Sequence, residues 1–162
     1  MLKKYFRKIH LWLGLLIGLL VFLIALTGSI YAFQEEIQHC FYSHYFVEQQ
    51  TGKPLLPSAI QQIAENALPS KSLHSIKYFT NNRSVEVTFY KSEPLHYYTM
   101  YLHPQSGNVL HVQNMETGFF PFILKGHMYL WLPPEIGRVV VMVVTLLFFV
   151  MILSGLILWL PK

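Results

Sequence analysis

Two stretches of this chain, Ile9 to Phe33 and Val139 to Leu160, carry no Asp, Glu, Lys or Arg. Each exceeds the roughly 20 apolar residues needed to cross a bilayer core. Between them the hydrophobic positions fall into shorter rhythms. Ile60, Ile63, Ala64 and Ala67 stand at i, i+3, i+4 and i+7, the stripe of an amphipathic helix, and Pro57 suits its first turn. Leu73 to Thr80 reads as a strand and Asn81-Asn82 as a tight turn. Val85, Val87 and Phe89 then alternate with Glu86, Thr88 and Tyr90, the period of a half-buried strand. Ser92-Glu93-Pro94 breaks it, Tyr97 to His103 forms the next strand, and Pro104-Gln105-Ser106-Gly107 is a turn before a last strand at Val109 to Val112. Such short connections predict an antiparallel meander with the helix over one face. Gly118 to Leu132 is too rich in Phe, Tyr and Trp for a solvated linker and reads as a helix at the membrane interface. Pro133-Pro134 stops it, and Pro134 and Glu135 open the second span.

The expected fold class is a membrane α+β protein, with two transmembrane helices flanking a small helix-plus-meander domain. Residues 1–40 form an N-terminal anchor and the first transmembrane helix, running from about Tyr5 to Cys40. Residues 41–118 form the middle domain, 119–134 the interfacial helix and 135–162 the second transmembrane helix. The first apolar run is too long for a cleaved signal, whose core is about 7–15 residues, so it is expected to stay as an anchor.

Charge sets the expected orientation. Only 12% of residues are charged, against about 25% in soluble domains. Lys3, Lys4, Arg7 and Lys8 cluster before the first span, where cytoplasmic anchors belong. The N-terminus is therefore expected in the cytoplasm, the middle domain in the periplasm or outside the cell, and Pro161-Lys162 back in the cytoplasm. The net charge of +4 lies in that cluster rather than on a folded basic face, which argues against nucleic-acid binding. Cys40 is the only cysteine, so there is no internal disulfide and no cysteine zinc site.

Candidate chemistry rests on histidines beside the spans. His10, Gly14 and Gly18 stand at i, i+4 and i+8, and Ala25 and Gly28 or Ser29 extend that side. A histidine at one end of a glycine groove can ligate haem iron while the macrocycle lies over the small residues. The other reading is an interfacial histidine beside Lys8, with Gly14-x-x-x-Gly18 as a helix-packing pattern. His127 has the same two readings. His10 belongs at the inner boundary and His127 at the outer one, so as ligands they serve two haems, one per side. Cys40 and His44 at i, i+4 form a possible soft-metal pair with His39 close by, although packed and solvated side chains account for them as well. His96, His103 and His111 read as surface residues. Arg138 reads as a snorkelling anchor. No phosphate loop, zinc-protease or serine-hydrolase motif is present, and no catalytic residue is assigned.

Arg7-Lys8-Ile9-His10-Leu11-Trp12-Leu13-Gly14 with Leu26-Thr27-Gly28, and Leu124-Lys125-Gly126-His127 with Gly137-Arg138 and Leu153-Ser154-Gly155-Leu156-Ile157-Leu158-Trp159-Leu160-Pro161, resemble the two helices of PepSY-associated transmembrane proteins. Tyr101 to Leu110 is similar to the closing hairpin of a PepSY domain. The resemblance implies a bacterial inner-membrane protein with a periplasmic PepSY-like domain. Some members are haem b-containing reductases that release iron from siderophores. The positions matching their haem histidines are His10 and His127, with Gly14, Gly18 and Gly28 shaping the groove. Many members carry more membrane helices than these two, which implies that a second copy or additional transmembrane helices supply the other ligands. The resemblance also allows a role without redox chemistry: a membrane-anchored PepSY module that binds or inhibits an envelope peptidase.

Overall fold

The expected strands and spans form, in the expected order, in the computed structural model, which describes residues 2–48, 52–80 and 82–160. The elements are α1 (Leu2–Ala32), α2 (Gln34–Phe41), α3 (Pro57–Ala67), β1 (Leu73–Lys77), β2 (Val85–Ser92), β3 (Leu95–Leu102), β4 (Val109–Asn114), α4 (Phe119–Tyr129) and α5 (Pro134–Trp159), with a 3-10 helix at Ser43–Tyr45 after α2. Two membrane-length helices, α1 and α5, thus flank a region with a four-stranded antiparallel sheet. The side chains of Lys3 and Lys4, Asn81 of the expected turn, and Pro161-Lys162 lie outside the described residues. The chain divides into two units: Met1–Gln34 with Phe119–Lys162, and Glu35–Gly118.

In the helical unit, most side chains of α1 and α5 face outward, as lipid-facing helices require. The inward positions of α1 include His10, Gly14, Ile17, Val21, Ile24 and Thr27, at spacings of three or four. Those of α5 include Gly137, Val144, Met151 and Ser154. This is the seam of an antiparallel pair, with His10 meeting Ser154 and Gly14 meeting Met151. A strict i+4 stripe drifts off such a seam, because four residues turn 400° about a 3.6-residue helix; accordingly Ala25 and Ser29 are exposed. Thr27 and Ser29 satisfy their hydroxyls within the helix, Thr27 Oγ1 on Leu23 O at 2.7 Å and Ser29 Oγ on Ala25 O at 2.8 Å. Side-chain bonds of this kind bend helices. The helix expected to run unbroken to Cys40 is interrupted just beyond them, at Phe33.

The helix α4 is tied to α5 by close backbone packing. A Cβ on Gly137 would lie 2.6 Å from the Tyr129 carbonyl oxygen. Leu130 and Trp131 close α4 in the left-handed region, at φ 51° and 59°. Leu130 N donates to Gly126 O at 2.9 Å, and Trp131 lays its indole on Gly126 while Nε1 donates to Phe122 O at 2.9 Å.

In the second unit the strands pair in sequence order as a meander. Val85, Val87 and Phe89 on β2 and Met100 and Leu102 on β3 meet Ile60 and Ala64 of α3 in a fully buried core. Gly107 turns the chain before β4 at φ +73°, where a Cβ would also meet Ile63 at 2.5 Å. The opposite face is not left to solvent. Tyr101 is buried beneath Tyr45 of the 3-10 helix; its hydroxyl donates to Tyr45 Oη at 3.1 Å, which donates to Gln38 Oε1 at 2.9 Å. Ser84 N to Tyr45 O (3.1 Å) and Val47 N to Asn82 O (2.8 Å) pin that segment to the sheet. The second face is therefore covered in part, around Tyr101, where the sequence predicts cover on one face only.

Candidate functional site: two oriented histidines on the helix seam

His10 sits one turn before Gly14 on the seam of α1, and its ring turns toward α5. Its Nδ1 lies 3.0 Å from Ser154 Oγ. The Ser154 hydroxyl donates its one proton to Met151 O at 3.1 Å. With the hydroxyl so engaged it accepts from His10, which corresponds to the tautomer with Nδ1–H and a lone pair on Nε2. Gly155 admits the ring: a Cβ there would stand 3.4 Å from His10 Cε1. Beside the imidazole opens an apolar groove of about 450 Å³, lined by Leu13, Val150, Met151, Ser154 and Ile157 among others. Its volume falls in the range of small-molecule and cofactor sites.

His127, on the last turn of α4, turns toward α1. Its Nδ1 lies 2.9 Å from the carbonyl oxygen of Ile24, which can only accept, so here too Nδ1 carries the proton and Nε2 the lone pair. Gly28 makes this approach possible, since a Cβ would meet His127 Cε1 at 2.7 Å and Nδ1 at 2.8 Å. From His10 to Ile24 is 14 positions along α1, about 21 Å at 1.5 Å per residue, so the two imidazoles belong to separate places.

The glycines divide. Gly28 gives room to His127, Gly14 faces Met151 Cε at 3.1 Å, and Gly18 has nothing within 4 Å of a Cβ. Ser154 and the Ile24 carbonyl belong to the same arrangement but are neither histidine nor glycine, and Gly155 is assigned no role in the sequence. The signal for Ser154 is a lone hydroxyl beside a glycine in an otherwise apolar half-turn.

The other histidines fall in the second unit. His96 and His103 are buried rather than on the surface. His96 Nε2 accepts from Ser72 N at 3.2 Å, and His103 Nδ1 from Gln105 N at 3.3 Å, closing the turn before β4. The i, i+4 relation of Cys40 and His44 is lost because α2 ends at Phe41; Cys40 is exposed and His44 packs among aromatic rings. Among the described residues no cluster of three or more metal-ligating side chains occurs.

Residues 7–162 match the model of the PepSY-associated TM region. The chain belongs to that family. No curated protein matches it. Family membership places this PepSY-associated chain in the membrane, in agreement with its two membrane-length helices.

Proposed function

We propose that this PepSY-associated protein is a haem b-binding electron-transfer component of the bacterial inner membrane that reduces ferric-siderophore iron on the periplasmic side. The observation that carries the reading is the matched state of the two histidines. Nδ1 of each lies at hydrogen-bond distance from a helix-seam oxygen, Ser154 Oγ or Ile24 O, which leaves Nε2 for a ligand. Metal-binding histidines are held in this way by second partners. A histidine merely solvated at the headgroups has no need of a helix-seam acceptor. The residues fit haem best at His10, where the apolar groove adjoins the ring.

In this reading His10 and His127 hold two haems, and Ser154 and Ile24 O fix the ring orientations. Gly28 admits the His127 ring, and Gly14 and Gly18 keep α1 slim along the groove. Bound haem supplies one-electron chemistry. The apolar side chains around His10 exclude water from its Nε2. Each site has one imidazole from this chain, so a second copy or additional helices complete it. The basic cluster Lys3, Lys4, Arg7 and Lys8 orients the N-terminus to the cytoplasm and the Glu35–Gly118 unit to the periplasm.

The test is the visible spectrum of detergent-purified full chain, oxidised and dithionite-reduced, with haem quantified. A Soret band with sharp reduced bands, lost in His10→Ala and His127→Ala, is expected. Unchanged haem content in both variants would overturn the assignment. A folded, colourless protein from haem-replete cells favours the alternative, an anchored PepSY module acting on an envelope peptidase. The direct fit of the His127 ring over Gly28 supports that alternative, because it is a complete packing contact between α1 and α4 without any cofactor.

A further inference from the structure

The Glu35–Gly118 unit carries a second, unrelated imidazole pair. His44, in the 3-10 helix, stacks on His111 of β4 with ring centroids 4.3 Å apart and planes 20° from parallel. Both backbones are fixed. His111 is the register partner of Tyr101, and the His44 turn is pinned through the Tyr45 carbonyl. His44 Nε2 is buried and has no hydrogen-bond partner. A buried polar atom left so costs about 1–3 kcal/mol and calls for an explanation, of which an ion is one.

The geometry points to His44 and His111 as a two-imidazole site for a divalent transition metal of the Zn²⁺, Cu²⁺ and Ni²⁺ class. A metal held by two imidazoles at about 2.0–2.1 Å sets their nitrogens roughly 3 Å apart. The ring centroids are 4.3 Å apart and the planes near parallel, so turning the rings out of their stack is the step that would aim one nitrogen of each at a shared ion. Imidazole is a ligand suited to these ions. His111 is exposed, so the ion has a way in from solvent.

Among the described residues no third metal-ligating side chain groups with this pair. The Tyr101 and Tyr45 hydroxyls are committed to each other and to Gln38, and burial pushes the Tyr101 phenol far above its usual range, so it does not ionise to bind. His39 Nε2 is likewise buried without a hydrogen-bond partner, but its ring rests on Tyr45 and Phe46 instead of joining the stack. Two protein ligands leave the remaining positions to water. Closed structural sites use four ligands, so this one is open and exchangeable.

The test uses full-length protein in detergent, stripped with a chelator and given Cu²⁺ alone. One Cu²⁺ per chain is expected, with nitrogen superhyperfine splitting from two imidazoles in its electron paramagnetic resonance spectrum. His111→Gln should lower affinity at least tenfold and reduce the coupling to one nitrogen. His111 is exposed, so this variant keeps its fold, as far-ultraviolet circular dichroism will show; His44→Gln should match it. His74→Gln, an exposed control on β1, should bind as the parent does. Absence of a one-per-chain site, or unchanged affinity and coupling in both His111→Gln and His44→Gln, overturns the assignment. Ferric haem has its own resonances, so the outcome stands whether or not the chain carries haem.

Discussion

Gly28 and Gly18 look interchangeable in a list of small residues, yet their surroundings differ. A side chain at Gly28 meets the His127 ring below 3 Å, whereas one at Gly18 meets nothing within 4 Å. Gly28→Leu should therefore overpack the seam, break the His127 bond to Ile24 O and cost about 1–3 kcal/mol. Gly18→Leu should stay within about 0.5 kcal/mol as long as no second chain packs there. Thermal melts in detergent compare the two directly, and equal melting temperatures would contradict the seam geometry. Ser154→Ala tests the other histidine. It keeps His10 but removes the acceptor that fixes its tautomer, so haem affinity should fall roughly 10–100-fold, the usual cost of losing a second partner. A haem titration of stripped protein reads this, with His10→Ala as the limiting case.

At the scale of elements, Glu86 on β2 faces the covered side of the sheet, opposite Tyr101. Burial raises its carboxyl pKa above the ordinary 4.5, with Arg83 and Lys77 opposing and Glu35 adding to the rise. Because the folded value is raised, the native form binds more protons between 4.5 and that higher value. Stability in this window therefore falls as pH rises through it. Glu86→Gln should flatten the slope, seen as a melting temperature of the tyrosine near-ultraviolet signal that varies less with pH; an unchanged slope would assign the dependence elsewhere. The end of α4 offers a second test. Leu130 holds φ 51°, a region costing a non-glycine residue about 1–2 kcal/mol, so Leu130→Gly should leave the protein as stable or more so by thermal melt.

These elements also separate what the sequence reveals from what it hides. Period-two alternation at Val85, Val87 and Phe89 and the breaks at Pro94 and Gly107 locate the hairpins, because local pattern and turn chemistry act within a few residues. Tyr45 covering Tyr101 joins positions 56 residues apart. So do Ser154 and His10, 144 apart. No periodicity records such pairs, and their hydroxyls look like ordinary polar positions. His96 and His103 reverse the problem: they read as surface histidines but serve as buried acceptors for backbone N–H groups.

For the molecule as a whole, sidedness and assembly are linked. If the basic cluster holds the N-terminus inside, protease added to spheroplasts should digest the Glu35–Gly118 unit and spare an N-terminal tag; the reverse pattern would exchange the inner and outer assignments of His10 and His127. Assembly then follows from counting ligands. Each chain offers two oriented imidazoles about 21 Å apart along α1, too far to share one iron. If each haem takes two histidines and both come from copies of this chain, two copies hold two haems, which is one per chain. If helices of other sequence supply the second ligand, this chain carries two. Haem measured by pyridine haemochromogen against protein mass from light scattering separates the cases. A ratio near one should accompany a dimer, with haem lost on dissociation in harsher detergent. A ratio near two should accompany a partner of different sequence. A dimer of ratio one that retains all its haem in the His127→Ala variant would confine the cofactor to the His10 groove and leave the outer imidazole as the packing residue that its fit over Gly28 already makes it.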